Sequence, residues 1–211
     1  MNPILKISLS FFPLVFNTSL FAEVLIYRPV AVPKFEMDDQ FQKQNKIENF
    51  RGDVVVLLFG DKESAEANKI LGQTIHESFH PQAKGKTPAQ ARLAPVLELA
   101  DQPPGTKSPE VHTIAVACVG KVPNIVKVFI RNQLVKGSPD VPLWLDFNEI
   151  MRTTFKYKPS VSNLVVIDPW GNLRLSASGN LSQAEFTDLV NAIESIRLEA
   201  VRSQVRFPEN P

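Results

Sequence analysis

The sequence predicts an α/β fold: a three-layer sandwich with a mixed central sheet and helices on both faces. Three observations carry the prediction. Val54–Phe59 reads VVVLLF, apolar without alternation, as in a central parallel strand buried on both faces. Helical stretches alternate with further apolar runs at Thr113–Val119 and Val141–Leu145. Near the C-terminus, Leu164–Ile167 runs into Asp168-Pro169-Trp170-Gly171, where Asp suits the first position of a turn, Pro presets φ at the second and Gly tolerates the fourth. Leu173 and Leu175 then alternate with Arg174 and Ser176, so a second strand closes a hairpin.

Composition narrows the function classes. A chain of 211 residues is long enough for one domain with a sizeable core. A hydrophobic content of 44% with 21% charged residues is ordinary for a soluble globular protein. The net charge of +1 gives no reason to expect nucleic acid or an acidic membrane surface as partner. The single cysteine, Cys118, excludes an intramolecular disulfide, a Cys-x-x-Cys pair and a cysteine-rich zinc site. No cofactor is expected.

Taken in order, residues 1–22 read as a signal peptide. Lys6 supplies positive charge, Ile7–Phe16 is mostly apolar, and Ala22 is a small residue before a cleavage point. That places the mature protein in the periplasm or outside the cell, with no membrane span left after processing. Residues 23–34 form an N-terminal extension with a short strand at Val24–Tyr27, broken by Pro29 and Pro33. The domain proper covers 35–204. Phe35–Phe50 reads as an irregular hairpin or loop, and Arg51-Gly52-Asp53 as a turn rather than an adhesion signal. After the VVVLLF strand, Gly60–Ser64 is a loop. A helix spans Ala65–Phe79 on the spacing of Ala67, Ile70, Leu71, Thr74, Ile75 and Phe79, and Pro81 ends it. Residues 81–111 form a Pro-rich insertion in which Leu93, Val96, Leu97 and Ala100 suggest a short helix. Pro123-Asn124 opens a helix that ends at Gly137, and Asn148–Phe155 is a further helical segment. Ser182 and Glu185 form a capping box for a last helix, whose buried face is Phe186, Leu189, Val190, Ile193 and Val201. Residues 205–211 are a tail.

From Arg51 to Ile196 the chain resembles the redoxin group of the thioredoxin superfamily, which includes alkyl hydroperoxide reductase/thiol-specific antioxidant proteins and thiol-disulfide exchange proteins. The matching stretches are FRGDVVVLLFG, HTIAVACVG, VPLWLDF and SNLVVIDPWGNLRL. The resemblance implies a thioredoxin-like sandwich. It also implies where redox chemistry would sit. Thiol exchangers carry Cys-x-x-Cys in the loop after the first of these strands, and lining up the strands puts Ser64 and Ala67 there. They place a cis-Pro six residues before the hairpin Asp, where this chain has Ser162. The catalytic positions are therefore degenerate. A helix N-terminus lowers a thiol pKa, but a serine hydroxyl has no comparable acidity, so Ser64 reads as a helix N-cap. Cys118 lies in IAVACV, a strand expected to be buried, and its thiol is expected to be inert.

Two functional expectations follow. The first is a non-catalytic protein- or peptide-binding module. The Gly60–Ser64 and Tyr157–Asn163 loops should emerge at one end of the sheet, with Lys62, Tyr157, Ser162 and Asn163 as contact residues. The partner would be a protein or peptide. The alternative by family descent is an antioxidant or thiol-disulfide oxidoreductase. A rival reading comes from His76-Glu77-Ser78-Phe79-His80, which fits His-Glu-x-x-His: two imidazoles four apart on a helix could hold zinc with Glu77 as base. Pro81 follows directly and no third ligand is evident among His112, Glu98 and Glu110, so His76 and His80 are weak metal candidates. The competing reading is two surface or helix-end histidines, His80 favoured by the helix dipole.

Overall fold

The structure is a computed structural model and describes residues 23–206. The expected signal peptide and the end of the tail lie outside the described residues.

The chain runs β1 (Glu23–Ala31), a hairpin of β2 (Glu36–Asp38) and β3 (Gln44–Lys46), a 3-10 turn, then β4 (Val54–Gly60), α1 (Ala65–Phe79) and α2 (Pro88–Ala91). It continues through β5 (Val111–Cys118), α3 (Asn124–Gly137), β6 (Leu143–Asp146), α4 (Ile150–Thr154), β7 (Asn163–Ile167), β8 (Asn172–Ser178) and α5 (Gln183–Arg206). The main sheet has six strands in the order β1-β8-β7-β4-β5-β6. β4, β5 and β6 are parallel, while β7, β8 and β1 add as antiparallel neighbours. This is the mixed sheet expected from the sequence.

The unalternating VVVLLF run is explained by two cores. Val54, Val56 and Leu58 point to the face packed by Ile75 and Phe79 of α1 and by Leu189 and Ile193 of α5. Val55, Leu57 and Phe59 point to the other face, against Ile114, Val116, Trp144, Met151 and Phe155. A strand with period-two side chains needs apolar residues at every position when both faces are covered. The hairpin turn also forms as expected. Gly171 N–H bonds the Asp168 carbonyl at 2.8 Å, and Asp168 Oδ1 accepts from the N–H groups of Trp170 and Asn172. Gly171 has φ +77°, a left-handed conformation that glycine adopts without steric cost.

Several local expectations are corrected. The helix suggested by Leu93, Val96, Leu97 and Ala100 is absent. A single turn at Pro88–Ala91 stands before it, closed by a Thr87–Gln90 capping box. Pro95 lacks the donor a helix needs there, and the Leu97 N–H bonds the Phe79 carbonyl at 2.7 Å instead of a local one. β1 is longer than expected because a bulge between Ile26 and Val30 absorbs Pro29. α4 starts late because the Asp146 carboxylate accepts the Ile150 and Met151 N–H groups at 2.9 and 2.8 Å. α5 opens with the expected Ser182–Glu185 capping box. It also buries Arg197 completely, at 0% exposure. Its guanidinium donates to the carbonyls of Pro109 and Leu97 and to Glu194, which fastens the Pro-rich excursion to α5.

Candidate functional site

α1 starts at the C-terminal edge of β4, and its first residues face the loop that enters β7. The two loops expected to meet do so, and the residue that joins them is Asp61. Its Oδ2 accepts from the Tyr157 hydroxyl at 3.0 Å and from the Ser160 N–H at 2.7 Å. Its Oδ1 accepts from the Ser64 N–H at 3.2 Å. Burial alone would raise the Asp61 pKa, but these donors outweigh it and hold the carboxyl below its ordinary value. Burial and the Asp61 carboxylate together push the Tyr157 hydroxyl upward, so it stays a donor. Ser160 adopts φ +60° to present its N–H.

Ser64 occupies the N-cap position of α1 but does not cap it with its side chain. At 2% exposure its hydroxyl turns back to the Asp61 carbonyl, at 3.1 Å, and to the Asp61 carboxylate. The expected Ser64 cap is absent, and Asp61 instead closes the turn that precedes α1 by accepting the Ser64 N–H. An acidic residue three before the serine at a helix start was the available sequence signal for it. Ala67 is exposed one turn into the helix. Lys62 is exposed at the loop. Ser162 is buried, with its carbonyl accepting the Gly179 N–H at 2.9 Å. The described residues contain no cis peptide bond.

Asn163 is not available as a contact side chain. It is 0% exposed, and its amide oxygen accepts from Lys158 N–H and Ser178 hydroxyl while its amide nitrogen donates to the carbonyls of Lys158 and Val161. It is a strut that shapes the 157–163 loop from inside. Tyr157 is half-buried, its ring 6.3 Å from that of Phe59 and 5.6 Å from the Arg152 guanidinium.

Cys118 ends β5 and is half-buried rather than buried, since the strand's last residue emerges at the same sheet edge. Desolvation and the nearby Asp146 carboxylate push its thiol up to about 12, so the thiolate that redox chemistry needs does not form at neutral pH.

The opposite end of α1 holds His76 and His80, whose rings stack at 4.1 Å. Neither is a simple surface histidine, since the ring nitrogens of both face main-chain carbonyls. His80 is 3% exposed; its Nδ1 faces the Ala94 carbonyl at 3.0 Å, and its Nε2 faces the Val111 carbonyl at 3.2 Å and Glu110 Oε1 at 3.0 Å. Every polar neighbour of its two nitrogens is an acceptor, so an imidazolium, which has no lone pair for a metal, would satisfy all of them. His76 Nε2 donates to the Ala91 carbonyl at 3.0 Å. His112 is turned to Asp53 at 2.9 Å. Among the described residues no group of three or more His, Cys, Asp or Glu side chains is placed to hold a metal ion. The same residues contain no helix long and apolar enough to cross a membrane.

No family model and no curated protein matches the sequence. Solved structures do match the fold. A secreted thiol-disulfide isomerase from Corynebacterium glutamicum superimposes with a TM-score of 0.52 at 12% identity, covering 85% of this chain and 92% of that one. A candidate protein disulfide isomerase from Bacteroides thetaiotaomicron gives 0.51 at 19% identity, covering 86% and 96%. A candidate thioredoxin from Neisseria meningitidis gives 0.50 at 15% identity, covering 85% and 97%. With the strand order above, these likenesses establish a thioredoxin-like fold for this chain.

Proposed function

We propose that this chain is an exported thioredoxin-like protein of redoxin type that works without a redox-active cysteine pair, as a protein- or peptide-binding module. The observation that carries the reading is the loop after β4. Where the exchangers keep their thiols, this chain has Ser64 and Ala67, and an Asp61-centred set of hydrogen bonds ties the loop to Ser160 and Tyr157. Such a tied, uncharged-donor arrangement is a rigid binding edge and not a nucleophile. The contact surface is the exposed rim of these two loops, with Lys62 and the Tyr157 ring supplying side chains. The reading of residues 1–22 as a signal peptide is what supports export.

The test is titration of the purified protein with reduced, alkylated insulin B chain, followed by backbone amide shifts. Shifts confined to residues 60–64 and 157–163, weakened by Lys62→Ala/Tyr157→Ala, support the reading. Shifts confined to residues 84–107, or none at either loop, overturn it.

A further inference from the structure

All three histidines of the chain sit near the C-terminal end of α1 and the start of β5, together with Glu110 and Asp53. His80 is the centre. A neutral imidazole has one N–H, but His80 faces acceptors on both sides: the Ala94 carbonyl at Nδ1, and the Val111 carbonyl with Glu110 at Nε2. Only the imidazolium satisfies all of them. The C-terminal end of a helix favours the same charge.

We propose that His80 is a proton-operated latch on the 81–111 excursion, closed when the ring is an imidazolium and open at Ala94 when it is neutral. On losing one proton the ring keeps the N–H that faces the Glu110 carboxylate, because a charge-assisted bond is the stronger. The Ala94 carbonyl then loses its donor. Opening extends as far as the Leu97 N–H, which bonds the Phe79 carbonyl, and goes no further because Arg197 holds the Leu97 carbonyl from α5. Leu93, Ala94 and Pro95 line an open cleft of about 250 Å³ together with Gln82, Lys86 and Gln90, so the latch changes the shape of that cleft.

The charged groups around His80 act consistently. Burial would lower its pKa, but the Glu110 carboxylate and the Val111 and Ala94 carbonyls outweigh this and raise it above 6.5. His76, stacked on it from α1, is lowered by burial and by the His80 charge, with Glu110 and Glu77 acting in the opposite direction. The two shifts run in opposite directions, so His80 is the member of the stacked pair that holds a proton more tightly. Glu110 is held low by His80, with His112 of β5 adding to the effect, and His112 is itself bound to Asp53. From α5, Arg197 lies 5.8 Å from the Phe79 ring and pairs with Glu194. Because the folded pKa of His80 is raised, its contribution is complete below 6.5 and is lost as pH rises through the folded value.

The experiment is a pH titration of the purified protein by histidine ring 15N spectra, with amide hydrogen exchange measured on the same samples and corrected for intrinsic rates. His80 should show two donor nitrogens at pH 6.5 and become the Nε2–H tautomer above it. The Ala94 and Leu97 amides should lose protection along the His80 curve. Their opening constant should rise about tenfold per pH unit by which the closed-state pKa exceeds the open-state value. The Leu99 amide, bonded to the Ser108 hydroxyl beyond the Arg197 anchor, should not follow. Glu110→Gln should move both curves to lower pH. A neutral His80 at pH 6.5 in the wild-type protein, or wild-type protection at Ala94 and Leu97 that ignores the His80 titration, overturns the proposal whether or not the Glu110→Gln variant folds.

Discussion

The two ends of α1 solve the same problem with opposite charges. At the N-terminal end a carboxylate, Asp61, accepts from two backbone N–H groups and a phenol and so joins two loops. At the C-terminal end an imidazolium, His80, donates to two carbonyls and a carboxylate and so pins the Pro-rich excursion. Each charge suits its end of the helix dipole. The difference lies in titration. A carboxylate held low keeps its charge throughout the neutral range, whereas a histidine raised from 6.5 gives up its charge as pH rises past that value. The fold thus keeps the end where a redox site would sit constant and leaves the other end responsive.

The largest expected effect removes the support both ends share. Leu57→Ala in β4, with the side chain at 0% exposure, should cost about 2–5 kcal/mol by lost burial and a cavity, measured by denaturant unfolding. A change below about 0.5 kcal/mol would place β4 outside the core.

The next effect separates strut from surface at the N-terminal end. Asn163→Leu should cost about 2–3 kcal/mol, because the hydrogen bonds of the Asn163 amide to the Lys158 and Val161 backbone and to the Ser178 hydroxyl are lost. Lys62→Ala should stay within about 0.5 kcal/mol. Equal costs would erase the distinction. Asp61→Ala should fall between them, at about 1–2 kcal/mol.

The pH profile sharpens the comparison further. Asp61 has a folded pKa below its unfolded value of 3.8, so its stabilisation is present above that value and fades as pH falls through the folded one. His80 has the reverse sign and fades as pH rises above 6.5. The His76 contribution, with a lowered folded pKa, is complete above 6.5 and decreases toward acid, on the acid side of the window in which the His80 contribution fades. Thermal melts of Asp61→Asn and Glu110→Gln should therefore diverge from wild type at different ends of the pH scale. Parallel profiles would break the contrast.

How much of this was legible in the sequence depended on the range of the interaction. β4, the β7–β8 hairpin and the start of α5 were readable because composition, turn chemistry and a capping box are local. Residues 93–100 misled because helical spacing survived in a segment whose Leu97 N–H is claimed by Phe79, a partner far along the chain. Asn163 looked like a loop side chain, yet its neighbours fold around it. His80 and Glu110 are brought together only when β5 starts beside the end of α1. His-Glu-x-x-His brought two rings together at the end of α1 but could not show that carbonyl oxygens surround them.

The smallest expected effect bears on the central claim, that this thioredoxin-like chain works without thiol chemistry. The most direct measurement is reduction of insulin disulfides and turnover of hydroperoxide by the purified protein, alongside Cys118→Ser. No turnover above the uncatalysed rate is expected in either assay, and no difference between the two proteins. Thiol-dependent turnover that Cys118→Ser abolishes would contradict the claim.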